Sequence, residues 1–300
     1  MKIAPPLLAL TLFLTACSGS GDTTIDPNAD DEKLFQAALA LYDTMMFDAA
    51  AAKFDLLLTT YPTSPRHDNA GYLTGRCSYE TSNYAVAITK LTKMRTAHPD
   101  SKFLHSAIYF TARSRFQQQD YPASTVDFRA AVAADSMGLY VDNAQYYVGR
   151  SLYETGDLVG ARPELTLVET KYGTSTYLDN ARYYLGRSFF DAQDFANALG
   201  PFTRVLATAG SSYADDAQYY LGRSHYGQAS LDSALVDFEA LLTGYAGSQY
   251  ADDALGYEAR IYADKADCTN AQAKLGALQT QFPSSPAVGA TTMYLTGKGC

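Results

Sequence analysis

The chain has 300 residues, 47% of them hydrophobic, and a formal net charge of −9 at pH 7. That acidic balance excludes the basic surface on which nucleic-acid binding depends. After the N-terminus no apolar run is long enough to span a bilayer as a helix, and the remaining length suits one extended array of repeated units.

The reading begins with a short apolar run, Leu7 to Leu14, behind Lys2 and ahead of the small residues Thr15 and Ala16. Residues 1–16 therefore read as a secretory signal. Leu14-Thr15-Ala16-Cys17 resembles the bacterial lipobox, which implies a lipid on Cys17 as the mature N-terminus. Ser18 stands where an Asp would favour inner-membrane retention, so the resemblance implies the outer membrane. Several acyl chains on one Cys hold far more firmly than one. Residues 17–31 continue as a polar, acidic tether whose 14 residues from Ser18 reach about 20 Å.

From residue 32 to 300 one phrase recurs. It reads Tyr72-Leu73-Thr74-Gly75-Arg76, Tyr146-Tyr147-Val148-Gly149-Arg150, Tyr183-Tyr184-Leu185-Gly186-Arg187 and Tyr219-Tyr220-Leu221-Gly222-Arg223. Degenerate copies end at Arg113 (with Tyr109) and Arg260. These Arg residues are 37, 37, 37, 36 and 37 positions apart. A fixed period of this size predicts a solenoid, in which each unit buries its apolar face against its neighbours.

Each unit predicts two helices. Helix A is expected to start at an Asp-rich cap, such as Asp68-Asn69, Asp142-Asn143 or Asp215-Asp216. Helix B carries a small residue and, four positions later, a large apolar one. The pairs are Ala50/Phe54, Ala87/Leu91, Ser124/Phe128, Ala161/Leu165, Ala198/Phe202, Ala234/Phe238 and Ala271/Leu275. Spacing of four places both on one face. A mid-helix Gly costs about 1 kcal/mol against Ala. Its recurrence, with Ala38, Ala112 and Ala259 in the other copies, predicts a tight helix crossing. Seven units are expected, followed by a capping half-repeat over Ala287–Gly297 in which Leu295-Thr296-Gly297-Lys298 echoes Leu73-Thr74-Gly75-Arg76.

This arrangement of small residues, aromatics and turns resembles the tetratricopeptide repeat over about residues 33–300. The fold expected is all-α, a tetratricopeptide-type solenoid of seven helix pairs plus a C-terminal capping helix. The lipobox and tether are similar to those of the BamD family of outer-membrane assembly lipoproteins. The Tyr-Tyr-x-Leu-Gly phrase and Tyr61-Pro62-Thr63-Ser64-Pro65 turn are similar to the Tol-Pal-associated YbgF/CpoB family. The resemblance implies a scaffold that binds protein partners in an envelope machine, anchored by lipid to the outer membrane and facing the periplasm. Outer-membrane protein assembly is the first expectation; Tol-Pal or peptidoglycan-synthesis coordination and a secretin pilotin are the alternatives.

Helix A lines the groove in such solenoids, so the resemblance places the partner there. The expected groove residues are Tyr72, Arg76, Tyr79, Tyr109, Arg113, Tyr146, Arg150, Tyr153, Tyr183, Arg187, Tyr219, Arg223 and Tyr226. Tyr and Arg carry much interface energy, and Arg grips carboxylates with two hydrogen bonds. A structural role competes: Arg76/Glu80, Arg150/Glu154 and Arg187/Asp191 are i,i+4 pairs, and each Arg can stack on a Tyr of the next unit. Both readings stand at this point.

Cys77 replaces a Ser held by the other copies and reads as a small buried residue. Cys268 and Cys300 are candidates for a disulfide in an oxidising compartment. Nothing in the chain carries enzyme chemistry. His67, His98, His105 and His225 have no metal-ligand spacing, and no phosphate loop or nucleophile elbow occurs. No cofactor, metal or small-molecule substrate is expected.

Overall fold

The computed structural model describes residues 29–134 and 138–300. The signal segment, Cys17 and the tether up to residue 28 lie outside the described residues. Among those described, all regular structure is helical. The chain divides into two compact units, up to Phe103 and from Leu104 onward.

The first unit holds α1 (Asp30–Asp43), α2 (Phe47–Thr60), α3 (His67–Glu80) and α4 (Tyr84–Ala97). The second holds α5 (Leu104–Gln117), α6 (Tyr121–Ala134), α7 (Val141–Glu154), α8 (Leu158–Lys171), α9 (Leu178–Asp191) and α10 (Phe195–Leu206). It continues with α11 (Ala214–Gly227), α12 (Leu231–Gly244), α13 (Ala251–Asp264), α14 (Cys268–Gln281) and α15 (Pro286–Lys298). Within each unit every helix packs on its chain neighbour, and α15 lies against both α13 and α14. This is the tetratricopeptide-type solenoid that the period predicts: seven helix pairs and a closing helix.

Helix B buries one narrow stripe, at the small residue, four positions on and seven positions on. Ala50, Phe54 and Leu57 are fully buried, as are Ala198, Phe202 and Val205, and Ala234, Phe238 and Leu241. Spacings of four and three keep such a stripe on one face. Each large side chain contributes roughly 1.5–3 kcal/mol by leaving water.

Helix A meets that stripe at the Gly of the repeated phrase. A Cβ on Gly75 would lie 2.5 Å from the Leu91 side chain, and one on Gly149 2.6 Å from Leu165. On Gly186 it would lie 2.7 Å from Phe202, and on Gly222 2.9 Å from Phe238. The partner is always sixteen positions later. Ala38, Ala112 and Ala259 hold the same place ahead of Phe54, Phe128 and Leu275, and all three are fully buried. The small residues are thus a consequence of helix A pressing its backbone onto helix B.

The turn from A to B follows one pattern. Met45, Ser82, Gln119, Gly156, Gln193, Ala229 and Ala266 all have positive φ, between 57° and 82°. The next amide closes back to a carbonyl five residues earlier, as in Asn83 to Ser78 and Asp157 to Leu152. This is the Schellman closure of a helix C-terminus. Only Gly156 meets it with the residue that adopts it without strain.

Two expectations need correction. The paired acidic residues do not cap helix A. The caps of α3, α7, α9, α11 and α13 are Arg66, Tyr140, Tyr177, Tyr213 and Tyr250, without side-chain capping bonds, and the Asp residues sit inside the first turn. There they reach outward to the next repeat. Asp68, Asp215 and Asp252 accept from the Ser101, Ser248 and Ser285 hydroxyls, each 33 residues on, at 2.6, 3.0 and 2.6 Å. The same Ser oxygens accept an amide two residues ahead, which sets the turn. True carboxylate caps sit on helix B, at Asp157, Asp194 and Asp267.

The second correction is the register of α15. Arg260 stacks on Tyr294 as Arg223 does on Tyr257, and buried Thr291 takes the place of buried Ala254. Thr296, not Gly297, therefore occupies the Gly position. The echo read in 295–298 is shifted by one.

Candidate partner-binding face

The residues expected to line a groove separate into two sets. The first Tyr of each phrase is interior. Tyr72, Tyr109, Tyr146, Tyr183 and Tyr219 are only 8, 1, 3, 5 and 4% exposed. Each stacks on an aromatic just ahead of the following helix A: Tyr72 on Phe103, Tyr109 on Tyr140, Tyr146 on Tyr177, Tyr183 on Tyr213 and Tyr219 on Tyr250. Centroid separations run from 4.2 to 5.5 Å. Such pairs contribute about 0.5–1.5 kcal/mol beyond area burial. Burial raises the hydroxyls of Tyr146, Tyr183 and Tyr219 above the ordinary phenol range. These five side chains join repeats and do not present a surface. Their partners Phe103, Tyr140, Tyr177, Tyr213 and Tyr250 recur at the repeat period, a signal the sequence analysis passed over.

The Arg residues are half-buried, and those of the second unit reach the next repeat. The guanidinium carbon of Arg113 lies 4.3 Å from the Tyr147 ring centre, Arg150 3.5 Å from Tyr184, and Arg187 4.2 Å from Tyr220. Arg223 and Arg260 reach Tyr257 and Tyr294 at 5.8 and 5.7 Å. The second Tyr of each phrase thus receives the Arg of the phrase before. Such contacts contribute about 0.5–1 kcal/mol at exposed sites and about 2 kcal/mol when desolvated.

The same Arg residues are held from their own helix. Arg76 Nε donates to Glu80 at 2.6 Å and Arg150 Nε to Glu154 at 2.6 Å. Arg187 donates to the Tyr183 hydroxyl at 3.1 Å and pairs with Asp191 at 3.2 Å. The Arg113 guanidinium donates to the Tyr109 hydroxyl at 3.0 Å. The contacts of the structural reading are therefore present in the second unit, where five successive Arg residues each tie two repeats, and they can coexist with partner binding.

The aromatic three positions beyond Arg lies at the edge of this array. Tyr153 donates its hydroxyl to Asp191 of the next repeat, and Tyr226 donates to Asp264 at 2.9 Å. Asp264 also accepts from Tyr294 at 2.6 Å and pairs with Lys298 at 2.7 Å. Burial opposes ionisation of Asp264, but Lys298, Tyr294 and Tyr226 more than offset it and hold its carboxyl below the usual range. In the first unit, Tyr79 is half-buried beside Tyr84, with Arg76 6.0 Å from its ring centre. In the second unit the partly exposed strip that remains is formed by the edges of Arg150, Arg187 and Arg223 with Tyr153 and Tyr226; in the first, Arg76 and Tyr79 stay partly exposed.

The structure bonds Cys268 to Cys300, with Cα atoms 5.0 Å apart. Cys77 is buried and its thiol is pushed up to about 12 by that burial, as an inert core residue would be. Among the described residues no group of three or more His, Cys, Asp or Glu is arranged to hold a metal, and no helix is long and apolar enough to cross a membrane.

Residues 27–136 match the YfiO family of outer membrane lipoproteins. Residues 111–172 and 183–251 match the tetratricopeptide repeat. No curated protein matches. Among solved structures, the C-terminal part of a repeat-containing protein from Cytophaga hutchinsonii aligns with a TM-score of 0.70. It is 17% identical, over 86% of this chain and 98% of that one. A tetratricopeptide repeat protein from Parabacteroides merdae aligns at 0.56, with 10% identity over 89% and 98%. PilF of Pseudomonas aeruginosa aligns at 0.56, with 17% identity over 75% and 96%. At these identities the three agree on fold alone.

Proposed function

We propose that this tetratricopeptide-repeat chain is a non-enzymatic adaptor, tethered through a lipidated Cys17 to the outer membrane, that binds protein partners of an envelope machine on its periplasmic side. The observation that carries the reading is the match of residues 27–136 to a family of outer membrane lipoproteins, directly after a lipobox-like Leu14-Thr15-Ala16-Cys17. Scaffold behaviour is supported by the repeats themselves, which offer large surfaces built from near-identical copies.

Outer-membrane protein assembly is the machine favoured, because it is the work of the lipoprotein family that the sequence resembles. The partner face is the strip of the second unit, the edges of Arg150, Arg187 and Arg223 with Tyr153 and Tyr226. Tyr and Arg with part of their surface still open are the side chains that most often anchor an interface.

A photo-crosslinking side chain placed at Tyr153 or Tyr226 in the full-length, membrane-borne protein tests this directly. A cross-link to a β-barrel assembly component supports the reading. A cross-link to Tol-Pal components, peptidoglycan synthases or a secretin subunit replaces the machine while keeping the adaptor. No cross-link from either position, in a folded protein, rejects the strip as the partner face.

A further inference from the structure

We propose that His67 and His98 form an acid-labile clasp that closes the end of the first unit. His67 Nδ1 and His98 Nε2 lie 2.8 Å apart, with ring centres 5.0 Å apart. The turn that carries His98 is held to α3 at two further points. Ser101 donates to Asp68 at 2.6 Å, and Phe103 stacks on Tyr72. The three contacts together fasten residues 98–103, the last segment of the unit, to the helix that starts at His67.

Internal comparison sets this pair apart. His67 is the first residue of its helix A, and His98 ends helix B 31 residues later. The corresponding positions are Val141 and Tyr172, Ala214 and Tyr245, and Ala251 and Phe282. In these three copies the repeat uses an aliphatic residue and an aromatic ring, neither of which titrates near neutrality. Only here does it place two imidazoles in those positions.

The chemistry follows from the short separation. Two neutral rings share one hydrogen bond, and a first proton can be shared across the same N···N contact. A second proton cannot, because it puts two cations within 3 Å. Burial and the neighbouring His98 both hold His67 below the ordinary histidine range. Lys93 of α4 opposes a further proton, whereas the Leu58 carbonyl of α2 and Asp68 of α3 favour one. A group whose folded-state affinity for protons is depressed takes them up more readily when the segment opens. Closure is therefore fully favourable above the ordinary histidine range and weakens as pH falls below about 6.5.

The test compares the full chain with H67V/H98Y, which copies the Val141/Tyr172 pair. Hydrogen-exchange protection of the His98, Ser101 and Phe103 amides is followed from pH 7.5 to 5.0, before most carboxylates titrate. Protection should fall in the natural chain, by about tenfold for each tenfold by which the proton affinity of His67 is lowered, and stay level at the matching amides of the variant. Equal loss in both would overturn the clasp. A direct titration of the imidazole resonances of the natural chain decides the matter even if the variant misfolds. Two rings that titrate independently, both at the ordinary histidine midpoint, would also overturn it.

Discussion

Where helix A crosses helix B, one added carbon is felt. At Gly149 an added methyl would sit 2.6 Å from the Leu165 side chain and 3.1 Å from its backbone nitrogen. The side chain can shift, but the backbone of α8 cannot without disturbing its stripe. Overpacking of this kind costs about 1–3 kcal/mol, against a gain of about 1 kcal/mol from replacing Gly by Ala in a helix. Gly149→Ala should therefore lower the urea midpoint, with a net loss of about 1 kcal/mol. Adding Leu165→Val should recover part of that loss, a coupling that a double-mutant cycle reads directly. Independent, additive effects would mean that the Gly is not set by this contact.

At the scale of the element, the joints between repeats within a unit draw on contacts 30 to 38 residues apart: a Tyr stack, an Arg over a Tyr and, at some joints, a Ser-to-Asp or a Tyr-to-Asp hydrogen bond. The last joint has one more. Cys268 and Cys300 close a loop over 32 residues, and Tyr294 and Lys298 meet on Asp264. A cross-link over such a loop removes roughly 3–4 kcal/mol of chain entropy from the opened state. Because α15 has neighbours on one side only, reduction should act locally. With dithiothreitol, amides of α15 should lose protection by hydrogen exchange while those of α7 to α11 keep theirs. Uniform loss along the unit would show that the disulfide stabilises more than the closing joint.

For the molecule as a whole, the repeats supply surface and, on the proposed reading, the N-terminus supplies an address. An acidic chain with a net charge of −9 gains nothing from electrostatic attraction to an anionic lipid surface. On the proposed reading, membrane attachment rests on the acyl chains expected at Cys17. Cys17→Ser should move the protein from the membrane fraction to the soluble one, read by fractionation and flotation. The solenoid should remain folded, because residue 17 lies outside every helix described. Continued flotation of the Cys17→Ser protein would require a different anchor.

The sequence by itself determined the repeat length, the two helices of each unit, the small-and-large pairs of helix B and the reason for the mid-helix Gly. All of these are local: spacings of three, four and sixteen residues translate into faces and crossings through helix geometry alone. What tertiary structure decided is everything between repeats. Tyr146 and Tyr147 are adjacent in a helix and equal in chemistry, yet one stacks on Tyr177 within the core and the other receives Arg113. Asp68 resembles a cap until the turn at Ser101 is brought against it. The groove expected from the sequence therefore lost its five interior Tyr residues, and its Arg residues in the second unit became ties. The physical reason is that these contacts join residues more than thirty positions apart, and which side of a helix meets its neighbour's successor depends on the angle at which the pairs stack. No spacing along the chain encodes that angle; the packed side chains do.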